Sequence, residues 1–196
     1  MAEAAELLAA LLQARQTILP KRLLAPGPDA EQLAQILDAA AHAPDHGQLL
    51  PWRFVQIGAG HRAALGEVFA QALLERDAAA LPEQLRQARE KAQRAPVLLL
   101  LVVNAGTGDA EIDLLERVVS AGCAVQSVLL MATALGFASA LTSGKALKSQ
   151  VLRRFFGLAE QDHALCFVSL GTALQARAQR VRPHRSQYLT HLSTDP

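Results

Sequence analysis

The sequence predicts an α+β or three-layer α/β protein in which helices cover a central sheet. Three observations predict it: four short strand-like runs near residues 52, 97, 137 and 165, helical periodicity between them, and the absence of any repeat, low-complexity tract or interdomain linker. At 196 residues the chain fits a single domain with ample length for a core. Hydrophobic content of 51% against 19% charged residues is the balance of a packed protein, where disorder needs the opposite.

Each element has a local cause. Residues Ala2 to Ala14 carry leucines at 7, 8, 11 and 12, the spacing of one helical face. A polar, basic segment from Arg15 to Arg22 follows, and Pro26-Gly27-Pro28 punctuates the chain. Asp29 is a good N-cap with Gln32 three residues on, so the pattern predicts a second helix to about Ala41. Trp52 to Ile57 reads as a strand stopped by Gly58. His61 to Ala80 and Pro82 to Arg94 read as surface helices, the second opening on a proline whose missing N–H costs nothing there. Pro96 to Val103 is the continuous Val/Leu run of a strand buried on both faces. Glu111 to Leu135 makes a long helix, Phe137 to Leu141 a short strand closed by Thr142-Ser143-Gly144, Lys148 to Phe156 a further helix, and Ala164 to Leu170 a last buried strand ending at Gly171. The tail from Gln175 to Pro196, with Arg177, Arg180, Arg182 and Arg185, is too polar for a core element.

Composition narrows the partners. A formal net charge of +1 gives no electrostatic case for nucleic acid or a membrane surface, which leaves small molecules or a second copy of the chain. Cys123 and Cys166 form no Cys-x-x-Cys pair and sit in apolar runs, as buried reduced thiols of a cytosolic protein do. Glu3 and Glu6 interrupt the N-terminal apolar stretch where a secretion signal needs a basic start and an unbroken core, so the expected location is cytoplasmic. The apolar stretch from Val118 to Leu135 is broken by Ser120, Gln126, Ser127 and Thr133 and reads as a buried helix. A helix hydrophobic on most sides needs protein all round it, which hints at a subunit interface.

The chain has no Gly-x-Gly-x-x-Gly, no Walker loop and no Gly-x-Ser-x-Gly elbow. Its most informative segment runs from His42 to Phe54, where Pro44 and Pro51 bracket an irregular loop between a helix and the first strand. His42 and His46 have the helical spacing of a metal pair, but Pro44 between them breaks a continuous helix and no third ligand is near. Arg15 and Thr17 can build an anion site, because a guanidinium fork matches phosphate and a hydroxyl adds a donor; from composition alone a solvated helix end is the favoured reading of them. The small residues of Ser120-Ala121-Gly122-Cys123-Ala124-Val125-Gln126 suit close helix approach, within the chain or between two chains.

By residues and order the loop resembles the segment entering the first strand of the nitroreductase family of flavoproteins, usually Ser-x-x-Asn-x-Gln-Pro-Trp there, with the Ala-Pro-Asp-His opening of its small YdjA-like subgroup. The resemblance implies an α+β fold, a three-layer α/β/α sandwich with a mainly antiparallel sheet, formed by residues 1–196 as one domain. It implies a homodimer with flavin mononucleotide (FMN) at the interface, a tail (about 175–196) wrapped around the partner subunit, and NAD(P)H and a small electron-accepting substrate as reactants. The family's Arg-Arg-Ser-x-x-Arg falls on Arg15, Gln16 and Thr17, whose first and third members would hold the FMN phosphate, with Lys21 or Arg22 as the later basic residue and the candidate positive charge near flavin N1 and O2. His42 and His46 would contact FMN across the interface, and Gln48 stands where the family keeps a flavin-bonding Asn. Leu141, Thr142 and Ser143 replace a Trp-Arg-Ser triplet that touches FMN, leaving Lys145, Arg180 or Arg182 to supply the lost charge, with Arg182 chosen as a binding residue.

The activity implied is ping-pong hydride transfer from NAD(P)H to nitroaromatics or quinones, with no side chain needed as acid, base or nucleophile. Gln16, Leu50, Leu141 and Thr142 depart from the family pattern. That set supports an alternative, a dimer of this fold that has lost FMN and serves as a binding or structural protein. A ligand-free helical interaction module fits the buried Val/Leu strands poorly.

Overall fold

A computed structural model describes residues 2–174 and 180–192. Its sheet is organised by strand β2, Val97–Asn104, in which every residue but the last is buried. A strand covered on both faces can be uniformly apolar, and alternate residues of β2 feed two separate cores. Val97, Leu99, Leu101 and Val103 join one of them, and Leu98, Leu100 and Val102 the other. The expected three-layer sandwich follows from that division.

Three more strands complete the sheet: β1 (Trp52–Gln56), β3 (Ala138–Thr142) and β4 (Asp162–Gly171). Their order is β1-β2-β4-β3, and every pairing is antiparallel. β1 and β3 are therefore the two edges. A single bridge from Thr17 to Ser139, with Ile18 donating its N–H to the Ser139 carbonyl at 2.9 Å, lays the segment after the first helix along the β3 edge.

One layer contains α1 (Ala2–Ala14), α2 (Ala30–Asp38) and α5 (Leu114–Ala134); α3 (Ala59–Leu74), α4 (Pro82–Glu90) and α6 (Gln150–Phe155) form the other. α2 begins as expected, at an Asp29 capping box reciprocated by Gln32, and its last turn tightens into a 3₁₀ turn over Ala39–His42. Several boundaries differ from expectation, three of them at helix ends with a clear local cause. The helix expected over 61–80 spans Ala59–Leu74 and gives way to a turn in which the Asp77 carboxylate accepts from the Ala79 N–H. The long helix starts at Leu114 rather than Glu111, because Asp113 caps it by accepting from the N–H groups of Leu115 and Glu116. The helix expected over 148–156 starts at Gln150, capped by Ser149, after a separate 3₁₀ turn at Lys145–Lys148.

By length and composition α5 could cross a membrane, but Ala121, Ala124, Val128 and Ala132 pack on the sheet with at most a trace of exposure. Its cover is one-sided: Leu115 and Val119 are 73% and 66% exposed. α1 has no buried residue, with Leu7, Leu8 and Leu12 all exposed.

Candidate functional site

The candidate residues gather at two corners of the sheet. The first is the loop entering β1. His42 ends a 3₁₀ turn, and Gly47, Gln48 and Leu50 all adopt positive φ, at 67°, 52° and 46°. Two non-glycine residues held in the left-handed region need their surroundings to enforce it. Asp45 does part of this, its carboxylate accepting the Leu50 N–H at 2.7 Å. The 105–112 segment does the rest by packing closely: a Cβ on Gly108 would come within 2.3 Å of Leu49, and one on Gly47 within 3.3 Å of Ile112.

That supporting segment is itself pinned by Arg117 of α5, a side chain only 1% exposed. Its guanidinium donates to the carbonyls of Ile112, Thr107 and Asp109 at 2.8, 2.6 and 2.7 Å. Beneath the loop, Trp52 donates its indole N–H to Ser120 Oγ at 3.0 Å, fastening the start of β1 to α5. Beside it Arg53 grips the buried Asp162 carboxylate through two nitrogens at 3.1 and 2.8 Å, with Asn104 donating at 2.9 Å and the Ala159 N–H at 3.1 Å. The Arg53 hydrogen bonds, reinforced by those of Asn104 and Ala159, outweigh desolvation and hold the Asp162 pKa far below the usual carboxylate range. On the exposed side of the loop, His46 Nδ1 lies 2.9 Å from Glu116 Oε2. A carboxylate only accepts, so that contact places the proton on Nδ1 and leaves Nε2 for another partner.

The second corner is the far end of the β3 edge. Thr17 bridges to Ser139 there, and Arg182 crosses from the tail to donate to the Arg15 carbonyl at 3.1 Å. Two guanidinium-bearing residues thus share one corner with a hydroxyl, a donor set that fits a phosphate. Gln16 and Thr17 are each engaged by other groups of the chain. The tail segments 175–179 and 193–196, including Arg177, lie outside the described residues.

At the other end of β3, Leu141 and Thr142 point to opposite layers. Leu141 pairs with Val168 of the core under α5, whereas Thr142 pairs with Phe167 of the core under α3. Thr142 and Ser143 line a cavity of about 580 Å³ between the β3 end and the α3–α4 layer. Lys21 and Lys145 line it too, as do Arg76, Lys91 and Arg94. The last three escaped the sequence reading because they fall in segments read only as surface helices, and no local signal marks their convergence.

One chain does not unite the two corners. Trp52 pairs with Val103 at one end of the sheet, and Val97 pairs with Leu170, beside Ser139, at the other. With β2 and β4 intervening, the His46 loop and the Arg15–Thr17 corner are diagonal to one another and roughly 25 Å apart by strand rise and spacing. His42, His46 and Gln48 therefore form one group, and Arg15, Gln16, Thr17 and Arg182 another.

The family model for the nitroreductase family matches residues 12–172. A Haemophilus influenzae protein named "Putative NAD(P)H nitroreductase" is 36% identical over 162 residues, which cover 83% of this chain and 87% of the relative. The Escherichia coli K12 protein named "Putative NAD(P)H nitroreductase YdjA" is 33% identical over 171 residues, 87% of this chain and 92% of the relative. Among solved structures, a nitroreductase-like family protein from Bacillus cereus superposes with a TM-score of 0.80 at 17% identity, covering 94% of this chain and 95% of that one. A mutant of the FMN and NADPH-dependent nitroreductase NfnB from a Sphingopyxis strain gives 0.74 at 19% identity, covering 94% and 98%. These likenesses and the antiparallel sheet between two helical layers agree, and the chain belongs to the nitroreductase family.

Proposed function

We propose that the protein is an FMN-dependent NAD(P)H oxidoreductase that works as a homodimer and reduces electron-poor acceptors such as nitroaromatics and quinones. The observation that carries this reading is family membership over residues 12–172 together with the cationic corner formed by Arg15 and Arg182. FMN, when bound, supplies the two-electron relay between nicotinamide and acceptor. Each turnover consumes one NAD(P)H and one proton; a nitro group then yields nitroso and water, and a quinone yields hydroquinone.

The chain's own part is to bind and orient. Arg15, Thr17 and Arg182 hold the phosphate, while Gln48 and the two loop histidines supply ring-edge donors. Thr142 and Ser143 close the β3 side, and Leu141 and Leu50 offer apolar contact in place of polar groups. Lys21 brings a positive charge to the cavity wall, where it favours a reduced ring carrying negative charge.

A second copy accounts for two features at once. It brings the histidine loop of one chain to the Arg15 corner of another, and it covers the apolar stripe of Leu115, Val119 and open-faced Gly122 on α5 together with the exposed leucines of α1. The test is to reconstitute the purified protein with FMN and add NADPH or NADH without oxygen. Stoichiometric binding and bleaching of the flavin absorbance are expected; a folded dimer that takes up no FMN would favour the alternative of a binding or structural protein.

A further inference from the structure

Arg117 is a buried cation whose hydrogen-bond partners are all main-chain carbonyls. It is 1% exposed near the start of α5, and among the described residues no carboxylate pairs with it. Nε donates to the Ile112 carbonyl at 2.8 Å, one terminal nitrogen to Thr107 at 2.6 Å and Asn104 at 3.4 Å, and the other to Asp109 at 2.7 Å. A buried cation without a counter-ion is unfavourable, and an apolar side chain of similar volume would fill the same space without that penalty. What the apolar side chain lacks is donors. Residues 105–112 form an irregular segment that neither a strand ladder nor a helix holds in shape, and a planar fork with five N–H groups does so instead.

The places where the fork lands connect it to the histidine loop. Thr107 and Asp109 flank Gly108, which sits at φ 72° and approaches Leu49 so closely that a Cβ would lie 2.3 Å from Leu49 Cδ2. Ile112, the third strong acceptor, is the residue that Gly47 faces, with a Cβ there 3.3 Å from Ile112 Cδ1. The near end of the segment has its own anchor, since Asn104 Oδ1 accepts from the Gly106 N–H and the Thr107 hydroxyl at 2.8 Å each. Arg117 is thus the anchor of the part that bears on the loop. We infer that Arg117 is a positioning residue for the flavin ring: through Gly108 and Ile112 it fixes the left-handed backbone at 47, 48 and 50, and so aims Gln48 and His46. The inference rests on the proposed flavin reading for what the loop contacts, but not for the coupling of Arg117 to the loop.

The test compares two variants that enter this chain of contacts at opposite ends. Arg117→Lys keeps the charge and loses the fork, whereas Gly108→Ala leaves Arg117 alone and pushes on Leu49. Hydrogen exchange of the flavin-free protein should show residues 46–50 opening faster relative to β2 in both. Titration with FMN and with riboflavin, which lacks the phosphate, should show both dissociation constants raised by the same factor, roughly tenfold for the loss of two ring-edge hydrogen bonds. Arg15→Ala should weaken FMN alone. The double variant should bind no more weakly than the weaker single one, because both act through one contact. Should Arg117→Lys fold poorly, Gly108→Ala carries the same two readouts. A role in stability alone would lower the melting temperature and leave both dissociation constants unchanged, which overturns the inference. So would loop exchange unaltered relative to β2, or losses that multiply in the double variant. Wild-type protein that binds neither flavin refutes the flavin reading and the inference together, whereas wild-type binding with unchanged affinity in both variants refutes the inference alone.

Discussion

Arg182 donates a guanidinium N–H to the main-chain carbonyl of Arg15 at 3.1 Å, so a residue of the tail is tied to the segment that follows the first helix. The contact uses Arg15's backbone and leaves the Arg15 guanidinium for a ligand. It also brings a second cation to the Arg15 corner.

Arg15→Ala should therefore weaken FMN binding with little effect on folding. A charge-assisted contact to phosphate contributes about 1.5–3 kcal/mol, roughly a ten- to hundredfold change in Kd. Arg182→Ala should have the smaller effect of the two. Quenching of FMN fluorescence on titration measures both.

Acid stability should depend on Asp162. Its pKa is depressed in the folded state, chiefly by Arg53, so the stabilisation is present above the unfolded value of about 3.9 and is lost as pH falls through that value toward the folded one. Asp162→Asn should cost about 1–2 kcal/mol at neutral pH and flatten the acid limb of the stability curve. Urea melts between pH 7 and pH 3 would show the two curves converging at low pH.

The Trp52–Ser120 hydrogen bond offers a local test of how β1 is fastened to α5. Ser120→Ala leaves a buried indole N–H without an acceptor, at a cost of about 1–3 kcal/mol, whereas Trp52→Phe in that background should recover part of it by removing the donor. Thermal melts of the two variants and their combination decide it.

The fold was legible in the sequence wherever one residue type settles an outcome. The Asp29–Gln32 box started α2, Pro82 started α4, and the unbroken Val/Leu run announced the doubly covered β2. Helix ends were missed where two Asp caps stand close together, Asp109 accepting from the Glu111 N–H and Asp113 from those of Leu115 and Glu116, or where an Asx-type turn at Asp77 stops a segment of strong helix formers. Of the candidate site, the loop with His42 and His46 and the Arg15–Thr17 pair were picked out by their resemblance to the family pattern, since from the residues alone a solvated helix end is the better reading of Arg15 and Thr17. The wall of Arg76, Lys91 and Arg94 was not, since cations in segments read as surface helices look alike until the chain folds. Arg117 was equally hidden: an arginine inside an apolar helix is legible as a clamp only once the carbonyls of 107, 109 and 112 surround it.

The apolar stripe on α5 predicts its own disruption. Val119→Asp places a charge where a second copy would desolvate it, and should shift the protein to monomer at micromolar concentration without unfolding it. Sedimentation velocity reads the mass and circular dichroism the fold. Flavin should be lost along with the dimer.

The shared site is the centre of the account, and mixed dimers test it most directly. Under the proposed reading the two halves are Arg15 on one chain and His46 on another, residues that lie diagonal to each other across a single sheet. Chains carrying Arg15→Ala and chains carrying His46→Ala, each with a different affinity tag, can be co-expressed and the mixed dimer isolated through both tags. Flavin absorbance after FMN titration should then show one tight site per two chains, because one of the two pockets has regained both halves. Both parent homodimers should bind weakly. A mixed dimer that binds FMN no more tightly than its parents would contradict the shared site and confine the flavin to residues of one chain.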